Sequence, residues 1–368
     1  MLFLVGLFIV RKNLVGREFL SAIDTQTADT IRPVIWTDNH LRLLDQRLLP
    51  GEVVYLDITT AREVAAAISN MVVRGAPAIG ITAAYGVVLA AREACKKNPS
   101  QWQFLIQPDL ENLAHSRPTA VNLHWAMRRM QTILDHIEGD PEKRLLEEAR
   151  AIHAQDIAAN RQMGELGAAL IRDTHRVLTH CNTGSLATGG YGTALGVIRS
   201  AFRAGTLEMV YASETRPWLQ GSRLTAWELL QDRIPVTLIT DSAANYLLSK
   251  GDIGWVIVGA DRIVANGDVA NKIGTYNLAV AARHHGVGMM VVAPTTTFDL
   301  DIQSGNDIPI EDRSADEIVK IAGTSIAPDV RVWNPVFDIT PAHLIDIIVT
   351  EKGVIHNPDK QKIAAIFD

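Results

Sequence analysis

Apolar and polar positions follow two different rhythms along the chain. Residues 31–60 carry short apolar bursts, Pro33-Val34-Ile35-Trp36, Leu41-Arg42-Leu43-Leu44-Asp45 and Val53-Val54-Tyr55-Leu56, which predict short strands joined by turns. Ala61 to Met71 holds good helix formers and few breakers, and predicts a helix. After the turn Arg74-Gly75-Ala76-Pro77 a second helix runs to about Lys96. Pro77 suits its first turn, and it is apolar on nearly every face, the mark of a buried helix. Asn98 to Asn112 reads as loop. Ser116-Arg117-Pro118-Thr119 opens another helix, Glu138 to Pro141 breaks the pattern, and a long amphipathic helix spans about Lys143 to Arg172.

From Arg176 onward β-branched runs alternate with helical ones. Strands are predicted at 177–181, 207–213, 235–240, 255–260 and 287–293, and helices at 191–203, 222–231, 243–250 and 275–285. A polar loop carries the chain from Asp261 to the last of these helices. Beyond 293 the pattern is irregular until Thr340-Pro341, which predicts the cap of a final helix ending near Lys352. Such alternation predicts an α/β fold with a mostly parallel sheet covered on both faces. A domain boundary is expected near 140–150, with the long helix as connector. Cys181, Glu214, Asp241 and Asp261 then end their strands along one sheet edge, where α/β proteins bind ligands.

Composition narrows the function classes. The 368 residues carry 35 basic and 41 acidic side chains, a net charge of −6, so nucleic acid and anionic membrane are not expected partners. Two cysteines without a C-x-x-C pair suit a reducing cytoplasm and offer neither a disulfide scaffold nor a structural zinc site. His284-His285, at a helix end, reads as solvated. Met1 to Val10 is apolar but too short to span a bilayer, and its charges follow the apolar run where a secretory signal places them before it. Residues 1–30 read as an N-terminal extension that need not be ordered.

The densest chemistry lies between Val177 and Ile198. A strand ends in His180-Cys181-Asn182-Thr183-Gly184-Ser185, and a glycine-rich loop leads into a helix. Free N–H groups and the helix dipole favour an anion there, and a cysteine in positive potential becomes more acidic. Arg74 stands at the mouth of a buried helix N-terminus beside Gly75 and Ala76, which suits a phosphate, and Arg117 is a second candidate anion ligand. Asp261 emerges from a buried strand, where partial desolvation would raise its pKa for acid–base work. Asn271 and Lys272 follow a short loop later, an amide and a cation suited to sugar hydroxyls and phosphate; Gln220 adds an amide. A competing signal, Gly190-Tyr191-Gly192-Thr193-Ala194-Leu195-Gly196 with Glu214 on the next strand, has the look of a dinucleotide fingerprint. Eight residues separate its first glycine from Cys181, however, and a nicotinamide-linked dehydrogenase needs neither the cysteine nor the polar loop.

Together these blocks, with Ser116 to Asn122 and Glu214-Thr215-Arg216-Pro217…Gln220-Gly221-Ser222-Arg223, resemble the methylthioribose-1-phosphate isomerases of methionine salvage over about residues 31–355. The same broad family holds ribose-1,5-bisphosphate isomerases and regulatory subunits of a translation-initiation exchange factor. Ser213 stands where the family pattern has an acidic residue, and Asp241-Ser242-Ala243-Ala244 departs slightly from it. The resemblance implies an N-terminal α/β domain over 31–145 packed on a Rossmann-like domain over 146–368, in a homodimer that needs no metal or cofactor. It implies aldose–ketose isomerisation of 5-methylthioribose 1-phosphate, with Asp261 protonating the ring oxygen. Cys181 would be either the base for C2–H or a stabiliser of a hydride shift. Arg74, Gly75, Ala76 and Arg117 would hold the phosphate, and Gln220, Asn271 and Lys272 the hydroxyls and the charged end. An apolar slot for the methylthio group is required, its lining unnamed. A basic pocket there would mark the bisphosphate enzyme instead, and a regulatory subunit would need no reactive thiol facing a buried acid.

Overall fold

The computed structural model describes residues 29–368 apart from positions 135, 173 and 322; the apolar start of the chain lies outside the described residues. Three antiparallel strands, β1 (Val34–Thr37), β2 (His40–Leu44) and β3 (Tyr55–Ile58), open the fold. They share one core with helices α1 (Ala61–Ser69) and α2 (Ala76–Lys97). A capping box between Thr60 and Glu63 starts α1. α2 is apolar and long enough to cross a membrane, but 83% of its apolar stretch is buried inside the protein.

The stretch expected to be loop, 98–112, instead forms α3 (Trp102–Leu105) and α4 (Gln107–His115). Trp102, Ile106, Leu110 and Leu113 recur at helical spacing and are buried. Pro108 sits in the first turn of α4, where a proline is tolerated. α5 (Val121–Leu134) and the long α6 (Glu142–Ala168) follow as expected, and α6 packs on α2.

The regular alternation then builds β4 (Arg176–Thr179), α7 (Ala194–Arg203), β5 (Met209–Ser213), α8 (Ala226–Gln231), β6 (Val236–Ile239), α9 (Ala243–Leu248) and β7 (Trp255–Val258). Next come β8 (Arg262–Val264), β9 (Val269–Lys272), α10 (Thr275–His285), β10 (Gly288–Val292) and β11 (Phe298–Asp299). A small hairpin, β12 (Lys320–Ile321) and β13 (Thr324–Ser325), precedes β14 (Phe337–Thr340), β15 (Ile347–Thr350) and β16 (Gly353–His356). The central sheet has the order β16-β15-β10-β7-β4-β5-β6 and is parallel except at β16. Its central strands are buried on both faces, which explains their unbroken Val/Ile/Met runs.

Three further expectations are corrected. The polar loop after Asp261 is a β-hairpin, β8–β9: Asn266-Gly267, with Gly267 at φ +86°, turns between two β-branched runs. Asn271 and Lys272 are therefore strand residues, fixed by pairing of β9 with β14. The final helix over 340–352 is a short turn followed by β15 and β16. Ile347, Ile348, Val349 and Thr350 are β-branched and buried, and their packing beside β10 outweighs the Thr340-Pro341 cap signal. Lastly, Asp29 belongs to the fold, so an extension ending at residue 30 is drawn too long. Asp29 is buried, donates its backbone N–H to Asp232 Oδ1 (3.1 Å) and pairs with Arg32 and Arg161.

Candidate active site

The carboxyl ends of β4, β5, β6, β7 and β10 share one edge of the sheet, and the N-terminus of α2 comes to meet them. Between them lies a cavity lined by Arg74, Gly75, Ala76, Pro77, Cys181, Thr183, Ala260, Asp261, Asn271 and Pro294, among others. A second cavity shares Gly75, Ala76 and Asp261 with it. That chamber is walled by Ile79, Ala120, Ile308, Pro309, Ile310 and Phe337, with Arg117 and Arg262. Gly75 has φ +91°, and a Cβ there would fall 2.5 Å from that of Ala187; only glycine brings the helix end this close to the loop after Cys181.

Cys181 adopts φ +61°, a strained conformation for a residue with a side chain, and hydroxyls clamp its backbone on both sides. Its N–H donates to Thr215 Oγ1 (2.8 Å), and its carbonyl accepts from Thr225 Oγ1 (2.5 Å). Arg74 donates to Asn182 Oδ1 (2.6 Å) and to Asn182 O (2.7 Å). Asn182 Nδ2 in turn donates to Glu228 Oε2 (3.0 Å), and Glu228 pairs with Arg199 (2.8 Å), both side chains fully buried. The backbone N–H of Ser185 also donates to Glu228. A buried ion network thus holds the loop that presents Cys181 and aims the Arg74 guanidinium.

Burial pushes the Asp261 carboxyl above the ordinary aspartate range, and the positive charges of Lys272, Arg74 and Arg117 only partly reverse this. Burial also pushes the Cys181 thiol up, against the pull of Arg74 and Lys272. The expected acidic thiol is therefore corrected: in this cavity the loss of hydration outweighs the positive field. Lys272 is depressed by the same burial, opposed by Cys181 and Asp261, and its Nζ lies 4.9 Å from the centre of the Phe337 ring. Desolvation also lowers the Arg117 pKa, and its guanidinium reaches Glu311 at 3.9 Å.

Of the residues singled out from the sequence, the structure gathers Cys181, Asp261, Arg74, Gly75, Ala76 and Asn271 around one cavity. Arg117 stands in the adjoining one, and Lys272 acts on both acids through its charge. Gln220 is buried and lines neither cavity. His180 donates from Nε2 to Ile273 O (2.8 Å) and its Nδ1 accepts from Ser213 Oγ (2.6 Å), a pattern that suits the neutral ring burial also favours. Asp241 accepts from the N–H groups of Thr215 and Arg216 and so holds that loop. At the glycine-rich loop, Asp29 Oδ1 accepts from Tyr191 N (2.8 Å), so a carboxylate of the chain itself sits where a dinucleotide phosphate would bind. Asn182, Thr215, Thr225 and Glu228 were missed as parts of the site; only the polar character of the loop after Cys181 hinted at them.

The initiation factor 2 subunit family matches residues 72–357. A methylthioribose-1-phosphate isomerase of Thioalkalivibrio sulfidiphilus is 61% identical over 340 residues, covering 92% of this chain and 97% of its own. The crystal structure of 5-methylthioribose 1-phosphate isomerase from Pyrococcus horikoshii superposes with a TM-score of 0.87 at 43% identity, covering 93% of this chain and 97% of that one. A structure titled translation initiation factor eIF-2B, subunit delta, from A. fulgidus aligns with a TM-score of 0.82 at 42% identity, over 92% and 99% of the two chains. The chain belongs to the initiation factor 2 subunit family, on the branch that holds the methylthioribose-1-phosphate isomerases.

Proposed function

We propose that this protein is an aldose–ketose isomerase that converts 5-methylthioribose 1-phosphate to 5-methylthioribulose 1-phosphate in methionine salvage, through Cys181 and Asp261. The observation that carries the reading is the single buried cavity that holds both side chains against the N-terminus of α2 and Arg74. Because O1 bears the phosphate, the ring cannot open spontaneously to an aldehyde. An acid must protonate the ring oxygen as C1 becomes cationic. Asp261, whose carboxyl burial pushes above the ordinary aspartate range, is suited to that step. Arg74, the first turn of α2 at Gly75 and Ala76, and Arg117 offer charge and N–H groups to the phosphate; Asn271 on the cavity wall offers an amide to the sugar, and Lys272 adds positive charge beside it.

A hydrogen then passes from C2 to C1. A thiol that keeps its proton is a poor base, so the raised pKa of Cys181 supports a hydride shift beside the thiol over abstraction by a thiolate. With deuterium at C2, the hydride route retains the label at C1 of the product; loss of the label to water contradicts it.

The apolar walls of the adjoining chamber, Ile79, Ile308, Ile310 and Phe337, suit a thioether better than a second phosphate, and its two cations already have acidic partners, Arg117 with Glu311 (3.9 Å) and Arg262 with Asp299 (3.2 Å). The kcat/KM for 5-methylthioribose 1-phosphate is therefore expected to exceed that for ribose 1,5-bisphosphate by about 100-fold or more, since a phosphate desolvated against apolar walls loses several kcal/mol. Equal or reversed preference reassigns the substrate. A purely regulatory role is disfavoured by the buried acid and thiol in one cavity. We further propose that the halves 31–145 and 146–368 act as domains meeting at this cavity, and that the enzyme is a cytoplasmic homodimer; the resemblance and two free cysteines support this.

A further inference from the structure

We propose that Thr183 is a substrate-binding residue whose hydroxyl hydrogen-bonds an oxygen of the sugar phosphate held between Cys181 and Asp261. The inference rests on the reading of that cavity as the isomerase site. Thr183 lines the cavity with both residues, and its Oγ1 is buried with no hydrogen-bond partner among the described residues. Its neighbours differ. Thr188, on the same wall, hydrogen-bonds through its hydroxyl to Gly184 O and Gly190 O, and Thr297 reaches Asn122 Oδ1. Thr215 and Thr225 use their hydroxyls to clamp the Cys181 backbone.

A buried hydroxyl without a partner is costly, and proteins retain few of them outside functional sites. Here the surroundings hold it in place. Thr193 donates its N–H to the Thr183 carbonyl (2.9 Å), which pins the backbone. The Thr183 methyl is seated over Gly259: a Cβ on that glycine would fall 2.3 Å from Thr183 Cγ2. The residue is thus held at its carbonyl and its methyl, and its hydroxyl is left without a partner at the cavity wall. A sugar phosphate offers hydroxyl, ring and phosphate oxygens, and a threonine hydroxyl can donate to any of them. The loop sequence has a reason for threonine over serine, because the methyl sets the rotamer, and over valine, because the oxygen meets the ligand.

Thr183→Val keeps the shape and removes the oxygen; Thr183→Ser keeps the oxygen. Steady-state kinetics on 5-methylthioribose 1-phosphate and thermal melting, run beside Cys181→Ala, separate the outcomes. We expect Thr183→Val to lower kcat/KM by about 10- to 100-fold. Its melting temperature should be unchanged or higher, because an unsatisfied buried polar atom is gone. Thr183→Ser should stay within about 3-fold of wild type. The proposal is overturned if Thr183→Val matches wild type while Cys181→Ala is inactive, which leaves the site reading standing. It is also overturned if Thr183→Val loses activity and melting temperature together, which marks a packing role. Full activity in Cys181→Ala would instead remove the site reading on which the proposal rests.

Discussion

Asp261→Asn is expected to lower kcat by about 10²- to 10⁴-fold, the range lost when a positioned general acid is removed. The folded protein should not suffer. Asp261 lies between β7 and β8, its N–H donating to Ala270 O (2.9 Å), and burial raises its pKa. A group whose folded pKa is raised above its unfolded value contributes stability that is complete below the unfolded pKa and is lost as pH rises toward the folded one. At neutral pH the aspartate therefore adds nothing that asparagine removes, and the melting temperature of the variant should match or exceed that of wild type. The same shift gives the wild-type rate a sign with pH: turnover needs the protonated carboxyl, so kcat/KM should fall as pH rises through the elevated pKa of Asp261. A variant at wild-type rate, or a rate that climbs steadily with pH, would remove the acid role.

The largest loss of stability is expected at Glu228, away from the substrate. Its carboxylate accepts hydrogen bonds from Asn182, Ser185 and Arg199, and the Glu228 and Arg199 side chains are wholly buried. Asp232 also pairs with Arg199 (2.5 Å). Removing one partner of a buried pair leaves a charge without hydration or full compensation, at a cost of about 3–5 kcal/mol. Glu228→Ala should be destabilised by that amount in chemical denaturation. Turnover should fall too, because Asn182 loses its anchor and Arg74 its orientation. Glu228→Gln, which keeps the shape and can still accept from Asn182, should lie between the two. A change under about 1 kcal/mol in Glu228→Ala would mean that Asp232 alone satisfies Arg199 and that the network does not hold the loop.

Much of this was legible in the sequence because its signals are local. β-branched runs such as Val256-Ile257-Val258 have few alternatives to a buried strand, so the parallel sheet and the shared edge of Cys181 and Asp261 follow from periodicity. The misreadings fall where two local signals compete. At 340–352 a cap signal preceded a β-branched run, and the tertiary slot beside β10 decided for strand. At 98–112 the expectation was loop, while apolar positions recur at helical spacing and form α3 and α4. Residue chemistry that depends on distant partners was not legible at all. No local pattern says that Asp29 meets Tyr191, that Glu228 meets Asn182, or that desolvation would outweigh the cations around Cys181. Arg74 was read as an anion ligand, yet two of its donor groups are engaged by Asn182, a contact across 108 positions.

The most direct test of the account is to incubate the purified full chain with 5-methylthioribose 1-phosphate, in parallel with Asp261→Asn, and to follow the sugar by phosphorus and proton NMR. The account predicts conversion to the ketose 1-phosphate by the wild-type protein and none on the same timescale by the folded variant. A folded wild-type protein that leaves the substrate unchanged, or a variant that converts it equally well, would contradict it.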